Sequence, residues 1–115
     1  MPYTNDAKSV MLTALAGVAV RVSLHTADPG LTGINKVAGG SYADQTVTWN
    51  AVSAGNLDSS NQPVFDVPAA TTVTHFGVWN TGGTTFYGSA ALSASESFTD
   101  AGTYTLTDID LDLNA

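Results

Sequence analysis

Thr72-Val73-Thr74-His75-Phe76-Gly77-Val78-Trp79-Asn80-Thr81-Gly82-Gly83-Thr84-Thr85-Phe86-Tyr87-Gly88-Ser89-Ala90-Ala91-Leu92 is the clearest supersecondary unit in the chain. Strand-forming residues on either side of Thr81-Gly82-Gly83-Thr84 read as a hairpin. Gly82-Gly83 supplies the positive φ that a two-residue loop requires. That register sets Trp79 opposite Phe86 and Val78 opposite Tyr87, cross-strand pairs that contribute from a few tenths to about 1 kcal/mol each.

Further strands lie on both sides of this unit. Downstream, Tyr104 and Leu106 share one parity and Ile109, Leu111 and Leu113 the other. One residue is therefore inserted near Thr107-Asp108, which predicts a bulge or bend in a strand over 104–113. Upstream, Val64-Phe65-Asp66-Val67 is bounded by Pro63 and Pro68, which confine it to an edge. Val47, Trp49 and Ala51 point one way and Thr46, Thr48 and Asn50 the other, followed by a turn at Gly55-Asn56. Val18, Val20, Val22 and Leu24 alternate with Ala19, Arg21, Ser23 and His25, the pattern of a half-buried strand. Asp28-Pro29-Gly30 stops it with turn chemistry. Residues 29–41 hold four Gly and little periodicity, and a loop this long in a small domain is a contact element or an ordered arm.

Residues 5–16 carry the helix signal. Asn5 or Asp6 can cap the first turn, and Val10, Met11, Ala14, Leu15 and Val18 form one apolar stripe. Gly17 suits a left-handed closing residue. So short a helix must dock to persist. The expected fold is mainly β: a single antiparallel β-sandwich or jelly-roll-like barrel with one short N-terminal helix. It forms one domain over 1–115, with an extended arm at 1–5, the helix at 6–16 and a β-rich body at 18–113.

The 115 residues are 43% apolar and 11% charged, with no cysteine, so neither a disulfide nor a thiolate metal site is open to the chain. Ten acids against three bases give a net charge of −7. Lys8, Arg21 and Lys36 are too few for a phosphate-binding footprint, which argues against nucleic acid and against an anionic membrane surface. Val10 to Val20 is mostly apolar, and Ala14-Leu15-Ala16 imitates a cleavage site. Asp6 beside Lys8 removes the positive region that a signal peptide needs, and the run is shorter than the roughly 20 residues of a membrane span. The expectation is a protein made in a cytoplasm and not exported.

No catalytic constellation emerges. A Gly-x-Ser-x-Gly elbow is absent, and Gly39-Gly40 and Gly82-Gly83 lack the lysine of a phosphate loop. His25 and His75 have no second ligand at metal spacing. Asp108, Asp110 and Asp112 would stand roughly 7 Å apart on one face of a strand, but no turn bends them round one calcium ion. The expected metal, cofactor and catalytic residues are none.

Ser23-Leu24-His25-Thr26-Ala27-Asp28-Pro29-Gly30, then Val37-Ala38-Gly39-Gly40-Ser41-Tyr42-Ala43, then Gln45 to Trp49 occur in an order that resembles a family of small virion structural proteins of tailed bacteriophages. Pro68-Ala69-Ala70-Thr71, Val73-Thr74-His75-Phe76-Gly77-Val78-Trp79 and Phe86-Tyr87-Gly88 extend the resemblance over roughly residues 6–113. Members are labelled as tail-fibre, minor tail or head-decoration proteins, and none of the shared motifs is catalytic. Asp44 departs from the family, where Arg is common, and the segment before His75 is short.

The resemblance implies a virion part that binds without chemistry. The chain has no coiled coil or repeat that would give a fibre its length, so a capsid decoration protein on the outer face of the head is the expected role. Its partners would be the major capsid protein or other virion proteins, with copies forming a homo-oligomer. The alternative is a minor tail or tail-fibre module that contacts tail proteins or a host surface glycan, with Trp49 or Trp79 as stacking platform. Met1, Pro2 and Tyr3 of the arm and Pro29, Gly30, Leu31 and Ile34 of the long loop are the candidate interface residues. They are the segments with least internal reason to be ordered.

Overall fold

The computed structural model describes residues 3–107 and 109–112, apart from the side chain of Asp112. One helix, α1 (Asn5–Ala16), precedes eight strands among these residues. They are β1 (Arg21–His25), β2 (Gln45–Thr46), β3 (Asn56–Asp58), β4 (Val64–Val67), β5 (Thr71–Trp79), β6 (Phe86–Phe98), β7 (Gly102–Thr105) and β8 (Asp110–Asp112). The order β2-β1-β5-β6 makes one antiparallel sheet, while β3 pairs with β8 and β4 with β7 as two-stranded ribbons. The fold is mainly β, and the described strands do not close into a barrel. Val22, Leu24, Val73, Phe76 and Val78 of the sheet share one core with Phe65 and Val67 of β4 and with Leu106 and Ile109. Each such side chain contributes about 1.5–3 kcal/mol by leaving water.

The hairpin holds with a changed turn. Trp79 stands opposite Phe86, their rings edge-on at 4.9 Å, but Val78 faces Gly88 instead of Tyr87. Tyr87 is an extra residue in β6. The turn is longer than two residues: the Asn80 carbonyl accepts from Gly83 N, and its side-chain Oδ1 accepts from the amides of Thr84 and Thr85. Of the two glycines only Gly83, at φ 70°, is left-handed. A second irregularity lies further along, where Val73 pairs with Glu96 but His75 with Ala91.

The bend expected near Thr107 splits the last strand in two: β7 pairs with β4, and β8 crosses to β3. The turn read at Gly55-Asn56 sits one residue earlier. Ala54 (φ 51°) and Gly55 (φ 79°) make it, Ser53 and Asn56 exchange backbone bonds across it, and Asn56 opens β3. Of the expected strand around Trp49, only Gln45–Thr46 is regular, although Val47 is buried and Thr48 and Asn50 are exposed as the alternation predicts.

α1 is capped by Thr4, whose Oγ1 accepts from Ala7 N at 3.1 Å, so neither Asn5 nor Asp6 is the cap. Gly17 stays right-handed at φ −73°. The inward line is Leu12, Leu15 and Ala19, spaced three and four apart, while Val10 is 71% exposed and Met11, Ala14 and Val18 also face solvent. The predicted stripe therefore points outward except at Leu15. No described helix is long and apolar enough to cross a membrane.

Candidate functional site

β1 is buried on both faces, although its alternation predicts one wet face. Val22 and Leu24 enter the core, and Ser23 and His25, on the opposite side, have no exposed surface. The loop over residues 26–36 covers them, together with Trp79 and Phe86 of the hairpin. His25 Nδ1 lies 2.8 Å from the Ile34 carbonyl oxygen, which can only accept, so Nδ1 carries the proton. Nε2 then accepts from the Ser23 hydroxyl at 2.7 Å, and Ser23 Oγ accepts in turn from Trp79 Nε1 at 2.7 Å. Burial, followed by the nearby Lys36 charge among the lowering influences, brings the His25 pKa below its ordinary 6.5, keeping the ring neutral. A serine hydroxyl against a histidine invites a nucleophilic reading. Here both side chains are sealed from solvent and the hydroxyl is already engaged by Trp79, so the relay holds a loop in place.

That loop is ordered throughout. Thr26 N donates to the Asn35 carbonyl, Gly33 N to the Pro29 carbonyl, and Asn35 Nδ2 to the Asp28 carbonyl. Asp28 Oδ1 accepts from Gly30 N at 2.9 Å, the local bond expected of Asp at a turn. Gly33 is the one residue type that fits its place: φ is +78°, and a Cβ would stand 2.4 Å from Trp79 Cη2. Pro29 is fully buried. The loop thus presents Leu31, 96% exposed, and Ile34, 59% exposed, from a fixed frame.

Asp44 locks the far end. Its Oδ2 accepts from Arg21 Nε at 3.0 Å and Lys36 Nζ at 2.8 Å, and its Oδ1 from the Tyr42 hydroxyl at 2.8 Å. Burial pushes this carboxyl upward, but bonds from Lys36, Tyr42 and Arg21 outweigh it and hold its pKa below the usual range. Tyr42 Oη also accepts from Leu24 N at 2.9 Å, replacing a ladder bond where β2 has ended. Burial and the Asp44 charge push the Tyr42 phenol far up, so it stays a donor. The Lys36 ammonium lies 4.8 Å from the centre of a Trp79 ring, joining this cluster to the relay.

The structure brings Gly30, Leu31 and Ile34 together on one outward loop and buries Pro29 beneath it. The reason given by the sequence reading, weak internal order, is overturned: backbone bonds and His25 fix the segment. Tyr3, just before α1, is exposed. Met1 and Pro2 lie outside the described residues, as do Asp108 and the side chain of Asp112. Trp79 is buried and bonded and offers no stacking face, whereas Trp49 is half-buried, donates Nε1 to the Ala19 carbonyl and lines an open cleft. The sequence reading missed His25, Ser23, Gly33 and Asp44 as supports. The available signal was two polar residues alternating within an apolar strand, directly before a loop rich in Gly.

A family model described as Podophage GP4 fiber I protein gp80 matches residues 7–114. No curated protein matches the chain.

Proposed function

Since the chain belongs to this phage fibre family, a family of virion structural proteins, we propose that it is a non-enzymatic, fibre-associated module of the tail, in preference to a decoration protein of the head. The match over residues 7–114 carries this reading, because the family is described by its fibre. The mechanism is adhesion. A preformed loop holds Leu31 and Ile34 in the geometry they keep when bound, so little conformational entropy is lost on contact. The partners are virion proteins, and the −7 charge keeps the chain off nucleic acid.

The physical objection to a fibre, a body without coiled coil or repeat, is met if length comes from copies or from partner proteins. Immunogold labelling of intact virions with antibody against the chain tests the assignment. Gold at the tail is the expected result, and gold spread over the capsid surface returns the decoration role.

A further inference from the structure

The same body that presents an apolar knob also carries a mostly apolar hole, its polar lining residues uncharged. Between α1 and the segment after β2 lies a cleft of about 680 Å³, whose walls include Thr13, Ala16, Val20, Val47, Trp49 and Val52. Among the described residues no charged side chain lines it. The knob is likewise uncharged, since no ionisable residue stands between Asp28 and Lys36. We propose that Leu31 and Ile34 of one copy insert into this cleft of a second copy, joining copies head to tail.

Three observations select a second copy as the occupant. Two bodies at −7 repel each other, so a contact between copies is favoured where carboxylates are few: none of the described residues lining the cleft is acidic, and Asp28 is the one acid in the loop over 26–36, its Oδ1 accepting from Gly30 N. The exposed Leu31 stands on a loop whose backbone is bonded on both sides of it, at Gly30 and Gly33, and the cleft lies within the roughly 300–1,000 Å³ of small binding sites. Finally, knob and hole sit at opposite ends of β1. Val20, just before it, lines the cleft, and His25, which ends it, holds the loop through Ile34. Five residues of strand separate them by about 17 Å, so no copy fills its own cleft. A contact between different patches of identical chains is heterologous, and it propagates into a ring or a filament. That supplies from many short bodies the length that one lacks.

The test uses the full chain in sedimentation velocity over a concentration series, with Leu31→Asp to spoil the knob and Thr13→Trp to fill the hole. Both positions are exposed, and circular dichroism checks that each variant stays folded. Wild type should form species larger than dimers, and each variant alone should stay monomeric. Mixing the two variants should restore a single intact contact and stop at a one-to-one pair. A monomeric wild type, undiminished assembly by Leu31→Asp, or a mixture that stays monomeric overturns the proposal. The inference rests on the fibre reading, but the two fail separately. A gold-labelled tail with a monomeric chain removes only this contact, and a labelled capsid with self-assembling chains removes only the tail assignment.

Discussion

Ser23→Ala removes one oxygen from the buried relay and strands two partners at once. Trp79 Nε1 loses its acceptor at 2.7 Å, and His25 Nε2 loses its donor at 2.7 Å. A buried polar group left without a partner costs about 1–3 kcal/mol, and the two are coupled, so a loss of about 2–4 kcal/mol is expected. That is a large share of the roughly 5–15 kcal/mol of a folded domain. Unfolding entropy of about 2.1 cal/mol/K per residue makes each kcal/mol worth about 4 °C for a chain this long, so the midpoint should fall by about 8–16 °C. Urea unfolding followed by tryptophan fluorescence measures the free energy, and calorimetry the midpoint. Ser93→Ala, which trims an exposed hydroxyl on β6, serves as the control and should change stability by less than about 0.5 kcal/mol. If Ser23→Ala is as mild as this control, the three-residue relay does not hold the loop.

Acid should loosen the same region. Unfolded His25 titrates near pH 6.5 and the folded ring titrates lower, so the unfolded chain binds more protons in that window. The stability due to the neutral ring is complete above the unfolded value and is lost as pH falls through the folded one. His25→Gln should flatten this part of the stability curve, and an unchanged slope would refute the assignment. Asp44→Asn weakens the hold on Arg21 and Lys36, both partly solvated, and should cost about 1–3 kcal/mol by chemical unfolding. Asp44→Arg should cost more, because it sets a third cation beside those two; equal losses would show that charge is not what Asp44 supplies. Gly33→Ala must relieve both a left-handed φ and a clash with the Trp79 ring, so a loss above about 2 kcal/mol is expected in the same assay.

What the sequence made legible was local. Val64–Val67 stands between two prolines, and the Trp79–Phe86 pairing follows from a turn four to six residues long whichever form that turn takes. The exit of Tyr87 from register could not be read, because it follows from the Asn80 side chain closing the loop. β3 is three residues long and its partner lies near the other end of the chain, so neither periodicity nor spacing marks it. The helix shows how a pattern misleads: Val10, Met11, Ala14 and Val18 are well spaced for a core, yet Leu12, Leu15 and Ala19 face it. Candidate contact residues were found at Leu31 and Ile34 for a reason that the structure reverses. The supports of that loop are distributed over β1, β5 and Asp44, and bonds between residues 8, 23 or 56 positions apart leave no local signature.

The two breaks in the pairing of β6 bear on how copies of the chain behave at high local concentration. β6 is the longest described strand and one rim of the main sheet, with no charged side chain before Glu96. A straight rim of that kind recruits further strands without limit, the route by which stacked sheets become insoluble. The surplus Tyr87 and the slack between Ala91 and Glu96 interrupt its row of amides and carbonyls, so a newcomer finds no continuous template. Growth of any assembly is thereby left to side-chain fit, which can stop at a defined size and come apart again.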